Sequence, residues 1–268
     1  MLEVFLALLT AHLLADFPLQ PEWVVRKKEK PWVLGGHVAV VATVTILVTG
    51  SADPRVWAMV AGTHAAMDFI KVHFMKKGGL PAFALDQAVH VAVIAAVAIW
   101  RPNAVADGWY AWWPTEVKLL AYRAMAMASG VIAAVMAGGI ITKMLLTGVM
   151  PTTPAAPAAT PQTTPATPAT AAAPATTTPT AGSDPQDLAG LPRGGAHIGM
   201  LERGLILTFI LIGQPEGIGF MLAAKSVLRF SDRSARTHTE YVIIGTLTSF
   251  GWSILVALAT HVALQHWR

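Results

Sequence analysis

The stretch Ala11-His12-Leu13-Leu14-Ala15-Asp16-Phe17 sets a histidine and an aspartate four residues apart inside an otherwise apolar segment. The same His-x-x-x-Asp-Phe pattern returns at Thr63-His64-Ala65-Ala66-Met67-Asp68-Phe69. In each copy a further histidine follows in the next apolar segment, His37 after His12 and His90 after His64, at almost the same separation. Residues i and i+4 share one face of a helix, so each copy presents both polar groups in one direction. The near-equal spacing predicts a tandem two-helix repeat that carries His, Asp and His in each unit.

Composition says what surrounds that repeat. Of 268 residues, 54% are hydrophobic and 13% charged, against about 25% charged in soluble domains; mean hydropathy is +0.54. The chain therefore reads as an all-α polytopic membrane protein, with a four-helix core built from the repeat and further membrane helices toward the C-terminus. The formal net charge of +4 sits in short loops beside apolar runs. Membrane topology and anionic lipid headgroups explain that placement better than nucleic acid does. Membrane lipids are the expected partners, and no nucleic acid. The absence of cysteine excludes disulfides and thiolate metal sites. Met1-Leu2-Glu3 lacks the basic start of a signal peptide, so the first segment is expected to stay as a helix.

Runs long enough to span, about 17 to 25 residues, fall at 2–17, 32–49, 56–73, 81–100, 119–147, 204–222 and 240–264. The first is at the short limit, open to tilting or partial insertion. Arg26, Lys27, Lys28 and Lys30, and then Lys71, Lys76 and Lys77, put two loops on the cytoplasmic side by the positive-inside rule, with the N-terminus outside. Trp109, Tyr110, Trp112 and Trp113 read as an interfacial aromatic belt on the opposite side. Residues 1–100 form the expected repeat domain, and 101–148 the aromatic loop plus a fifth helix whose Gly130, Gly138 and Gly139 allow close packing. Residues 149–198, almost only Pro, Ala and Thr from Pro151 to about Gly182, read as a disordered linker. Within 199–268, Gln214-Pro215-Glu216-Gly217 interrupts an apolar run flanked by Arg203, Lys225, Arg229, Arg233 and Arg236. A re-entrant hairpin broken at Pro215 keeps both basic clusters on one side, with Glu216 and Lys225 as candidates for an ion pair closing it.

Seven groups, His12, Asp16, His37, His64, Asp68, Asp86 and His90, fall on this topology into one layer near the cytoplasmic ends of the first four helices. Each ionisable residue inside a bilayer costs about 2.5–3.5 kcal/mol on the insertion scale, so seven need compensation. A divalent metal compensates them, since imidazoles and carboxylates are ligands for zinc first, and for manganese or iron. His12, Asp16, His37, His64, Asp68 and His90 are the candidate ligands. Asp86, without a counterpart in the first repeat, is the candidate general base. A proton or ion pathway and plain structural polar packing are the alternatives for the same set. His73 reads as interfacial, while His197, His238, His261 and His266 have no partner at ligand spacing.

Ala11 to Gln20, Trp23 with the Lys-rich loop, His37 and Thr63 to Lys71 resemble a bacterial membrane-protein family known only as domain of unknown function 3307. The resemblance covers about residues 1–100. Glu202, Gly213-Gln214, Ala223 to Phe230 and Glu240-Tyr241 are similar to the C-terminal extension of longer family members. The family implies no activity. More distantly, polar groups in short membrane helices are similar to inner-membrane proteins described as metal-dependent hydrolases. The expected function is a metal-dependent hydrolase of the bacterial inner membrane, acting on a lipid or other amphiphile at the cytoplasmic leaflet. Its basic loops and Gln20 would hold an anionic part of the substrate. A secondary transporter of protons or metal ions and a non-enzymatic scaffold are the other two readings.

Overall fold

A computed structural model describes residues 1–75, 78–149, 194–230 and 236–268. The linker expected over 149–198 falls outside these residues apart from Val149, which ends one helix, and Gly194 to Ile198, which begin the next. Lys76, Lys77 and Arg233 lie outside them too.

The described residues are helical, with no strand among them. The helices are α1 (Leu2–Asp16), α2 (Glu22–Lys27), α3 (Pro31–Thr49), α4 (Pro54–Phe74), α5 (Gly79–Trp100), α6 (Thr115–Val131), α7 (Gly138–Val149), α8 (Gly194–Leu211), α9 (Glu216–Phe230) and α10 (Arg236–His266). A π-helical turn, Ile132–Ala137, joins α6 to α7 without a break. Five segments are long and apolar enough to cross a membrane: α3, α5, the continuous Thr115–Val149, α8 and Glu240–His266. The chain is a polytopic all-α membrane protein.

Helix α1 is a different kind of element. Its 15 residues rise only about 22 Å, short of a hydrocarbon layer about 30 Å thick. It compensates by standing inside the bundle, packed on α3, α5 and α6, with Val4, Ala7, Leu8, Ala11 and Ala15 almost wholly buried. Helix α4 has the length, but Arg55, His64, Asp68, Lys71 and His73 remove it from the apolar class. The contacts α1 on α3, α3 on α4, α4 on α5 and α5 on α1 close a ring of four helices.

One end of the ring is sealed by the 101–113 segment. Gly50 ends α3 at φ +68°, and its carbonyl accepts from Trp109 N–H at 3.0 Å. Tyr110 Oη donates to Val48 O at 2.9 Å. Tyr110 is thus buried, unlike Trp109, Trp112 and Trp113, which stay exposed. Asp53 ties the same end together: Arg101 Nη2 donates to it at 2.6 Å, and the Arg55 side chain beside it holds its carboxyl below the usual carboxylate range.

Close approach governs the rest, because helices in lipid associate through packing and interhelical hydrogen bonds. A side chain at Gly130 would strike Thr260 of α10, and one at Gly138 would come within 2.9 Å of both Trp252 and Arg203. The π turn frees carbonyls for outside donors: Arg203 Nε donates to Val135 O at 3.0 Å and Trp252 Nε1 to Ala133 O at 2.8 Å. The apolar run expected at 204–222 is two helices. α8 ends at Leu211, Gly213 turns at φ +74°, and α9 folds back so that Lys225 Nζ donates to Glu202 Oε2 at 2.6 Å. An ion pair does close the hairpin, but with Glu202 in place of Glu216. Glu202 and Lys225 stand equally far from the turn on the two arms, whereas Glu216 sits at the turn itself.

Candidate metal centre

Helices α1 and α4 end, and α3 and α5 begin, at the face of the ring opposite the 101–113 segment. His12 and Asp16 occupy the last two turns of α1, His64 lies at the middle of α4 and Asp68 one turn beyond it. His37 lies in the second turn of α3, and Asp86 and His90 follow one turn apart in α5. Helical spacing therefore turns all seven groups inward at one level. His12, His37, His64, Asp68, Asp86 and His90 are each at most 4% exposed.

The tightest set comes from three helices. Asp16 Oδ1 lies 3.3 Å from His37 Nε2 and 3.3 Å from His64 Nε2, and the two imidazole nitrogens are 3.0 Å apart. Asp68 Oδ2 adds a fourth corner, 3.4 Å from His64 Nε2 and 3.7 Å from His37 Nε2. These edges centre on about 3.3 Å, the edge of a tetrahedron whose corners stand about 2.0–2.1 Å from its middle, the zinc–nitrogen and zinc–oxygen distance. Two overlapping triads have ligand atoms close enough for one ion, His37–His64–Asp68 and His12–Asp16–His64, and His64 belongs to both. Asp16 Oδ1, buried among these rings, has no hydrogen-bond partner among the described residues. A buried acceptor that faces two imidazole nitrogens, with nothing else to satisfy it, suits a cation between them.

The other three groups lie around that core. His12 sits with Nδ1 at 3.8 Å from Asp16 Oδ2 and Nε2 at 3.2 Å from Gln87 Oε1. The His90 ring stacks on His64 at 4.2 Å and lies 5.0 Å from the His12 ring. The His37 and His64 rings are 5.1 Å apart. Asp86, expected as the base, lies outside both triads. Its Oδ2 accepts from Lys71 Nζ at 2.7 Å and from Gln87 Nε2 at 3.3 Å, and its Oδ1 faces His90 Nε2 at 3.4 Å. Helix α5 points it at the end of α4, where Lys71 stands one turn beyond Asp68.

Three participants are not among the expected metal-site residues. Lys28, read from the sequence as loop charge, is 8% exposed and donates to Asp68 Oδ2 at 2.6 Å. Lys71 reaches Asp86, and Gln20 Nε2 approaches His37 Nε2 to 2.8 Å. For Lys71 the i+3 spacing from Asp68 places it near the cluster, but the carboxylate it bonds is Asp86 of the next helix. Lys28 is remote from Asp68 along the chain, and no local pattern marks it.

No curated protein and no solved structure matches the chain. One family model does, over residues 4–113, which span the helix ring and the segment that seals it. That stretch, carrying all seven groups, is a domain of the family described as a protein of unknown function (DUF3307).

Proposed function

We propose that the ring holds a divalent metal, zinc first, and acts as a metal-dependent hydrolase on a lipid or other amphiphile at the membrane surface. The observation that carries this is the mutual 3.0–3.3 Å spacing of Asp16 Oδ1, His37 Nε2 and His64 Nε2. Three protein ligands with a fourth position free is the pattern of catalytic zinc, whereas four closed ligands is that of structural zinc. Asp68 supports the catalytic pattern in this reading. Its longer edges and its bond to Lys28 set it at the rim of the triad, where its carboxylate is placed to accept a proton from water. Bound zinc supplies Lewis acidity that makes hydroxide available near neutral pH. Gln87 supports the imidazole of His12, the kind of contact that metal-binding histidines need, whereas Gln20 meets His37 at Nε2, the ligand nitrogen itself, and would yield that position to the metal. Asp86 stays in the proposal one contact out, holding His90 against His64.

The distances His12–His90 and His37–His64, 5.0 and 5.1 Å, fit a two-fold relation between the two His-x-x-x-Asp units, with His12 matched to His64 and His90 to His37. An axis along the membrane normal relates parallel repeats of this kind. The side bearing Arg26, Lys27, Lys28 and Lys30 is the cytoplasmic one in this reading, which leaves the N-terminus outside.

The test is turnover by purified protein in mixed micelles, with a panel of phosphoester and carboxylester lipids, before and after chelation. Metal-dependent release of a water-soluble product that His37→Ala abolishes supports the proposal. Stoichiometric metal with no turnover on any ester refutes the hydrolase part and leaves the metal part standing.

A further inference from the structure

The two lysines of the layer, Lys28 buried and Lys71 part-exposed, carry a consequence of their own, which rests on the metal reading above. The layer contains three carboxylates, Asp16, Asp68 and Asp86, and two ammonium groups, Lys28 and Lys71, at 2.6 and 2.7 Å from Asp68 and Asp86. With neutral imidazoles the formal charge is −1. A divalent metal turns it to +1, and a buried +1 charge calls for a monoanion. Lysine at these positions is not needed to make the site bind metal; an ammonium beside Asp68 competes with a cation for the same oxygen. Retaining two of them serves a ligand that is itself negative. Both are placed for one. Lys28 enters from the segment after α2 and Lys71 from the last turn of α4, the end of the ring where α1 stops. Lys71 keeps 34% of its side chain exposed. Gln20, half-buried, adds an amide donor 2.8 Å from His37 Nε2.

We propose that Lys28 and Lys71 are anion-recognition residues and that the ligand of this site carries a phosphate ester or a free phosphate. An ammonium is a compact point charge with three rotatable donors, suited to exchange a carboxylate for a phosphate oxygen. In this arrangement Asp68 and Asp86 hold the two ammonium groups in place until the phosphate takes them over.

The experiment is calorimetric binding of inorganic phosphate to the metal-loaded full-length protein in detergent, beside metal content measured on the same samples. Lys28→Gln and Lys71→Gln should each weaken phosphate binding by about tenfold, the loss expected for one charge-assisted hydrogen bond, while metal stoichiometry holds. Lys28→Arg, which keeps the charge, should retain most of the affinity and guards against a fold defect in the glutamine variant. Nanodiscs of phosphatidylglycerol that displace inorganic phosphate, where phosphatidylcholine nanodiscs do not, identify a lipid headgroup as the source. Lysine-dependent phosphate binding without displacement by either lipid identifies free phosphate. Phosphate affinity within twofold of wild type in both glutamine variants overturns the proposal, as does equal binding to metal-stripped protein. A wild-type protein that takes up no metal overturns the metal reading itself, a separate and recognisable failure.

Discussion

His64→Ala is the sharpest perturbation of the centre, because His64 is the one residue common to both ligand triads. Its Nε2 lies 3.0 Å from His37 Nε2, 3.3 Å from Asp16 Oδ1 and 3.4 Å from Asp68 Oδ2, so removing it opens most of the short edges of the cluster at once. Structural zinc in small peptides binds with about 10–16 kcal/mol over four ligands. An equal share per ligand is about 2.5–4 kcal/mol, or about two to three powers of ten in affinity. Chelator competition on the purified protein in detergent should therefore show a dissociation constant raised at least a hundredfold. His73→Ala is the control: His73 is exposed, with Nδ1 2.9 Å from Phe69 O, and its loss should leave the constant unchanged. Metal at a hundred times its dissociation constant stabilises the fold by about 2.7 kcal/mol, so chelation should lower the melting temperature of wild type and leave His64→Ala unmoved. Wild-type protein without stoichiometric metal, or a His64→Ala constant within threefold of it, refutes the reasoning and returns the cluster to polar packing.

Two predictions concern the scaffold. Gly130→Val drives a side chain into Thr260 and should cost about 1–3 kcal/mol as overpacking; Gly62→Ala, with nothing within 4 Å, should cost nothing measurable by thermal unfolding in detergent. Lys225→Met leaves Glu202 buried without its 2.6 Å partner and should cost about 3 kcal/mol. Adding Glu202→Gln should recover most of that, and equal stability of the single and double variants would show that the pair does not hold the hairpin.

The sequence announces the level of the site better than its contents. His-x-x-x-Asp spacing and alternating helix direction are enough to place seven side chains on one layer, because helical periodicity is local and the turns between these helices are short. What periodicity does not carry is which oxygen faces which nitrogen. Asp86 and Asp68 look alike as letters, yet one meets Lys71 and Gln87 while the other meets His64 and Lys28. Lys28 is invisible as a residue of the cluster because lysine in a loop beside an apolar run is the ordinary mark of a cytoplasmic turn. Likewise the break at Pro215 is legible, since Gln-Pro-Glu-Gly cannot continue a helix, but the choice of Glu202 as partner needs the length of both arms. The π turn at Ile132–Ala137 has no sequence signature; the donors from Arg203 and Trp252 that its carbonyls accept come from segments far along the chain.

The packing of the ring on either side of the cluster favours the proposed site that works from one membrane face over one that passes ions through. Met1 starts beside Pro102, its amino group donating to Pro102 O at 3.3 Å, so α1 begins at the sealed end of the ring. After a rise of about 22 Å it stops at Asp16. The chain then turns through Phe17 to Gln20 and α2 before α3 begins, bringing Gln20 and Lys28 back to the cluster from that end. Polar side chains, Gln20, Lys28 and Lys71, thus border the cluster on that side. On the sealed side, between the cluster and the 101–113 segment, the ring is filled by Leu8, Val41, Val56, Val60 and Ile94, all buried. A cavity beside His12, His64 and His90, lined also by Val60, Val93 and Ile94, measures only about 10 Å³, room for one water. The chain of contacts from Lys28 through Asp68, His64, His90 and Asp86 to Lys71 leaves and returns on the same side. Alternating access needs a route to both faces, with the site near the middle. A catalyst facing one leaflet, as proposed above, needs a route from one side only.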